Sequence, residues 1–142
     1  MKGSHVRKAI FFTLIFFSTV FFHSCDNTFD DYIPYAPVNL YIDLTINNQL
    51  QIPGSSMIFP GGYGGVIVYN NFGEYIAYDA ACTLEIDQNC ILSNEDNGPV
   101  VTCPCCESKF FLYDGAPIDG DAIRFMKKYK AVLSGDRVLI SN

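Results

Sequence analysis

Histidine is almost missing from this chain of 142 residues: only His5 and His23 occur, both within the first 24 positions. A protein without that stretch has no imidazole. A Ser-His-Asp triad, a Cys-His pair, a histidine zinc site and a histidine-ligated iron centre are then excluded. Tryptophan is absent and only 17% of residues are charged, yet 15% are aromatic, so the chain is not a disordered one and can build a modest core. The length allows one domain. Basic residues are the second scarcity. Between Cys25 and Ser108 there is no Lys or Arg at all, and the six that follow the leader all lie from Lys109 onward. Against fifteen acidic groups they leave residues 25 to 142 with a net charge of about −9. Nucleic acid is a poor partner for such a surface. It reads as a solvated acidic face, with docking of a basic protein as the alternative.

The first 24 residues read as a segment to be removed. Lys2, Arg7 and Lys8 form a positive head, and Ala9 to Phe22 is an unbroken run of apolar residues and small hydroxyls. As a helix these fourteen residues span about 21 Å, short of a hydrocarbon core of about 30 Å. Phe22-His23-Ser24-Cys25 resembles the lipobox of bacterial lipoproteins, departing from it at Phe22, where Leu is usual. The resemblance implies cleavage before Cys25 and acylation of that cysteine, which fixes the protein to a membrane of the cell envelope, facing the periplasm or the exterior. An ordinary signal peptide with a spare thiol is the plain alternative. The polar, proline-closed stretch from Cys25 to Pro37 reads as a tether.

From Val38 the pattern is strict alternation, with Val38, Leu40, Ile42, Leu44 and Ile46 on one face of a half-buried strand. Gly65 to Tyr69 and Glu74 to Tyr78 read as a hairpin around Asn70-Asn71-Phe72-Gly73, and Pro99 to Thr102, Lys109 to Tyr113, Tyr129 to Leu133 and Arg137 to Ile140 as further strands. Only Gly120 to Lys128 offers a helical turn. Short strands with close turn signals predict a small all-β sandwich or barrel. Gly61-Gly62-Tyr63-Gly64-Gly65 leads into a strand rather than a helix, so it reads as a flexible turn and not as a phosphate cradle. Asn94 to Gly98 lacks the spacing of a calcium loop and reads as an exposed turn. Asp119 and Asp121 flank Gly120, but nothing in the sequence marks an aromatic-lined cleft around them.

Cysteine carries the information. Cys82, Cys90, Cys103, Cys105 and Cys106 fall within 25 residues, in two clusters on loops between strands, an arrangement that either grips a metal or staples two loops. Ala80-Ala81-Cys82-Thr83-Leu84-Glu85, then Cys103-Pro104-Cys105-Cys106-Glu107-Ser108-Lys109-Phe110, then Tyr113 to Gly120 resemble the two cluster-binding boxes and following segment of Rieske iron-sulfur domains. In that family the boxes read Cys-x-His and Cys-Pro-x-His-Gly-Ser. The likeness covers residues 38 to 142 and implies an antiparallel β barrel with a cysteine-bearing subdomain inserted at about 80 to 115. It places Cys82 and Cys103 as the ligands of the inner iron, puts Leu84 and Cys106 at the two histidine positions and Glu107 at the following glycine. It matches Cys105 to a loop-joining disulfide cysteine, with Cys90 as the nearest partner, and Ser108 to the serine that bonds a bridging sulfide.

Three readings follow from that resemblance. In the first the domain holds no cofactor and is a non-catalytic binding or structural module, its loops joined by Cys90 with Cys105 and by Cys82 with Cys103 or Cys106. In the second Cys82, Cys103, Cys106 and a recruited Cys90 hold a [2Fe-2S] cluster for electron transfer, at low potential because all ligands are thiolates. In the third the same residues bind structural zinc. Thiol-disulfide exchange through the Cys103 to Cys106 spacing has little support, because no βαβ setting surrounds it.

Overall fold

The computed structural model describes residues 32–86 and 90–142. The proposed leader and acylated Cys25 lie outside the described residues, as does the first half of the tether. Among the described residues nine strands form in chain order: β1 (Asn39–Asp43), β2 (Ser56–Phe59), β3 (Val66–Asn71), β4 (Glu74–Asp79), β5 (Val100–Thr102), β6 (Lys109–Phe111), β7 (Ala116–Asp119), β8 (Lys128–Ser134) and β9 (Arg137–Ser141). They make two antiparallel sheets, a curled one of order β1-β9-β8-β4-β3-β2 and a smaller one of order β5-β6-β7. No described helix is long and apolar enough to cross a membrane.

The chain leaves the large sheet after β4 and returns to it at β8, so residues 80 to 127 form the inserted unit that carries the cysteines. It runs past the 115 expected because β7 pairs with β6 and completes the second sheet. β3 and β4 are the hinge of the architecture, since both of their faces are covered. Val66, Val68 and Ala77 face one core with Val38, Ile42, Leu50, Val138 and Ile140. Ile67, Tyr69, Ile76 and Tyr78 face the other, against Cys82, Leu92, Val101, Cys103, Phe110 and Leu112. Period-two alternation with apolar residues at both phases produces this two-sided burial. The connecting hairpin is a two-residue turn, in which Phe72 (φ 52°) and Gly73 (φ 100°) both take the left-handed region that such turns require.

Three expectations change. β1 stops at Asp43 although the alternation continues to Ile46, because the Asp43 carboxylate accepts from Thr45 N and Thr45 Oγ1 and turns the chain, leaving Ile46 exposed. Residues 120 to 127 hold no helix: Ala122 and Met126 point inward, Met126 N donates to Gly115 O, and Asp79 N takes the Lys127 carbonyl. Those backbone groups are bonded across the fold, which removes them from any helical ladder. Residues 32 to 37, expected to belong to a tether, lie against the domain, since Ile33 is buried and Asn142 Nδ2 donates to Ala36 O.

Candidate metal and redox site

The site is built by two loops that face each other. The first folds back on itself through Cys82 N donating to Cys90 O at 2.8 Å and Leu92 N to Ala80 O at 2.7 Å, which fixes Cys82 and Cys90 near the same end. The second is a tight turn: Glu107 N donates to Cys103 O at 2.9 Å and Cys103 N to Ser108 O at 2.8 Å. Glu107 sits at φ 59°. That left-handed conformation accounts for the glycine of the family motif at this place, and Glu bears its cost of about 1 kcal/mol. Gly120 backs the turn so closely that an added Cβ would lie 2.6 Å from Ser108 Cα.

Cys90 and Cys105 form the expected bridge between the loops, with Cα atoms 6.0 Å apart. The second expected bridge is not formed. Cys82, Cys103 and Cys106 are free thiols, with Cys82 Sγ 3.6 Å from Cys106 Sγ and all three sulfurs within 4.8 Å of one another. Burial pushes the Cys82 thiol up to about 12. Burial also acts to raise Cys106, but hydrogen bonds from the Ser108 hydroxyl and backbone, joined by the Cys103 and Cys82 thiols, outweigh it and hold Cys106 below the ordinary thiol range. In its thiol form Cys106 Sγ donates to Ser108 Oγ at 3.3 Å, and Ser108 Oγ accepts from Ala122 N at 3.1 Å. Cys106 is the half-buried member of the three and opens on a groove of about 470 Å³ lined by Thr102, Glu107, Lys109 and Asp121.

The ligand chemistry sorts the alternatives. A Rieske centre takes two imidazoles on one iron, and this chain offers none outside its first 24 residues, so that form does not fit. Leu84, at one histidine position, is 40% exposed and has no donor atom. Four thiolates are a sufficient set, but Cys90 is taken by Cys105, so the expected quartet of Cys82, Cys103, Cys106 and Cys90 stands at three while the bridge is closed. Cys90 and Cys105 sulfurs both lie within 4.8 Å of Cys103 Sγ, in a group separate from that of Cys82 and Cys106, so Cys90 adjoins the three thiols through Cys103 alone. Three thiolates with the bridge closed suit a tetrahedral zinc ion with one open position.

The other candidates resolve as structure. Asp119 pairs with Lys109 Nζ at 3.0 Å and not with Asp121. The Asn94 to Gly98 turn is held by its own Asn94 side chain and by Ser56. The glycine run proves ordered. Asp79, fully buried, accepts from Tyr63 N (2.7 Å), Gly64 N (2.9 Å), Ala81 N (2.9 Å) and Tyr129 Oη (2.6 Å), tying that loop to the start of the first cysteine box. Sequence reasoning missed Asp79. The signal was a single carboxylate ending an apolar strand directly before Ala80-Ala81-Cys82.

No protein-family model matches the chain. It is 34% identical over 100 residues to the cytochrome b6-f complex iron-sulfur subunit of Chlorobaculum thiosulfatiphilum, a match covering 70% of this chain and 53% of that protein. The chain thus spans about half the length of the curated relative it matches. Among solved structures it is similar to the plasma membrane Rieske protein of Synechocystis PCC 6803, with TM-score 0.54 and 24% identity over 72% of this chain and 97% of that one. It is also similar to the Sphingomonas yanoikuyae B1 ferredoxin, with TM-score 0.51 and 21% identity over 74% and 99%. These two likenesses show the fold.

Proposed function

The chain carries a Rieske-like domain, and from that premise we propose that it is an exported lipoprotein, anchored through Cys25, whose domain carries electrons on a thiolate-ligated iron-sulfur centre. One observation carries the reading: Cys82, Cys103 and Cys106 remain unbridged and converge where the two boxes meet. Three thiols this close outside the cytosol are liable to oxidise unless something binds them. A [2Fe-2S] cluster, when bound, supplies a one-electron couple, at low potential with thiolates alone.

Each side chain has a task in that scheme. Cys82, Cys103 and Cys106 would hold the cluster as thiolates, Cys106 from a position that is histidine in the family's motif. Cys90 would complete the set once a thiol reductant opens its bridge and its loop carries the sulfur towards Cys82 and Cys106, so the bridge and the full ligand set exclude one another. Ser108 steadies the charge on Cys106 by hydrogen bonding, and Asp79 fixes the approach of the first box. The buried position of Cys82 keeps water out, and the groove beside Cys106 is the open edge through which a redox partner reaches the site.

The test is anaerobic reconstitution with iron and sulfide under reducing conditions, followed by visible absorption. Cluster absorption is expected in the wild type and is lost in Cys82→Ser, Cys103→Ser and Cys106→Ser. Equal spectra with and without those cysteines would overturn the reading. A second reading, a cofactor-free binding module, is favoured by Leu84 and by the closed Cys90–Cys105 bridge. It predicts no iron uptake under any redox condition.

A further inference from the structure

Basic residues after Cys25 fall late in this acidic chain, all from Lys109 onward. Four of the six, Arg124, Lys127, Lys128 and Lys130, lie in a stretch from 122 to 135 that contains no acidic residue of its own. The same stretch shows large apolar side chains to water: Ile123 is 85% exposed and Phe125 59%, while Ala122 and Met126 point inward and hold the loop in place. Two tyrosines join them from the other end of the chain. Arg124 Cζ lies 3.4 Å over the Tyr32 ring, Lys127 Nζ lies 5.9 Å over the Tyr35 ring, and Lys127 Nζ also donates to Ile33 O at 3.2 Å. The chain therefore comes onto the domain at this loop.

We propose that Ile123, Phe125, Tyr32, Tyr35, Arg124 and Lys127 form a face that seats the domain on the headgroup layer of an anionic bilayer. The inference rests on the anchoring of Cys25 proposed above. Seven peptide steps separate Cys25 from Tyr32, so an acylated Cys25 holds this loop within about 25 Å of the lipid surface. Apolar tips between long cationic side chains suit the interface, where the tips enter the acyl boundary and the cations stay with the phosphates. Tyrosines favour the same depth. Asp26, Asp30 and Asp31 lie in the tether itself, so the exposed apolar and aromatic tips, rather than net charge, select the orientation. An acyl anchor with a basic patch also supplies the two signals that stable attachment needs. The seating bears on the cysteine site, because Thr83 Oγ1 donates to Arg124 O at 3.1 Å and Ala122 N to Ser108 Oγ, which places the site beside the membrane edge.

The absence of tryptophan makes the test direct. Phe125→Trp, Ile123→Trp and Phe72→Trp are each prepared in the full chain, extracted from membranes and reconstituted in phosphatidylglycerol-phosphatidylcholine vesicles with brominated acyl chains. Phe72 is also strongly exposed, at 81%, but sits at the hairpin turn, at the opposite end of β4 from Asp79 and Lys127. The expected result is blue-shifted emission and at least threefold stronger quenching at positions 123 and 125 than at 72. An acylated protein in which all three positions emit as in water and quench alike overturns the seating and leaves the anchor intact. A shift at 123 and 125 that needs an added envelope protein makes the face a protein-docking one and also overturns it. An intact mass without acyl groups on Cys25 overturns the anchoring and the seating with it.

Discussion

Removing the Cys90–Cys105 bridge tests how the two loops are held. The bridge joins residues separated by 15 positions, a span for which the chain-entropy relation gives about 3 kcal/mol at 25 °C. A domain of about 110 residues has an unfolding entropy near 0.23 kcal/mol per kelvin, so the loss corresponds to a fall in Tm of roughly 10 to 15 °C. The proper variant is Cys90→Ala with Cys105→Ala, since a single replacement leaves a thiol 4.8 Å or less from Cys103 that can form a new bridge. Most of the effect belongs to the unfolded chain, which gains the freedom the bridge removed, and the native loops keep the Cys82 N to Cys90 O and Cys103 N to Ser108 O hydrogen bonds. Urea unfolding of wild type and double variant, both oxidised, should therefore show a ΔΔG of about 3 kcal/mol and a larger m-value in the variant. A change below about 1 kcal/mol would refute the reasoning. So would a variant whose thiols pair elsewhere, which peptide mapping detects.

Other consequences are open to equally direct checks. Glu107→Gly should stabilise the domain by about 1 kcal/mol in urea, because φ 59° costs glycine nothing. Gly64→Ala should lose about 2 to 3 kcal/mol, since the new Cβ meets the Ala81 backbone nitrogen at 2.5 Å and both segments are held by hydrogen bonds to Asp79. Tyr78 has the one buried side-chain oxygen without a hydrogen-bond partner among the described residues, so Tyr78→Phe should be neutral or stabilising by about 1 kcal/mol. Burial, helped by the Asp114 charge, raises the Tyr78 phenol from 10.0 to about 12. Its folded value lies above its unfolded one, so its contribution is complete below pH 10 and lost as pH rises through 12. Tyr78→Phe should flatten that alkaline limb in pH-dependent urea melts, leaving the part owed to Cys82, which begins from 9.0.

The strands from β3 onward, β7 excepted, were legible because most of their apolar residues are β-branched or aromatic and their turns carry Gly at positions that need positive φ. β2 and β7 were not, since Ser56–Phe59 and Ala116–Asp119 are short, and Pro117 sits inside the second. The Rieske-like fold and the Cys90–Cys105 bridge came from the order of the cysteine boxes. The state of the other thiols could not, because spacing places Cys82, Cys103 and Cys106 on facing loops without saying which sulfurs touch. Asp79 stayed hidden for a similar reason. Its four donors come from three separated segments, and only the fold brings them together. Residues 32 to 37 look like linker by composition, yet Ile33 fills a core position.

The central claim is that Cys82, Cys103 and Cys106, completed by Cys90, hold an iron-sulfur centre. The measurement that meets it most directly is iron, zinc and acid-labile sulfide per chain, on protein purified without oxygen and with a thiol reductant. About two irons and two sulfides are expected, falling towards zero as air oxidation closes the Cys90–Cys105 bridge. Protein that holds neither iron nor sulfide while reduced, and whose Cys82, Cys103 and Cys106 titrate as three free thiols, would contradict the account.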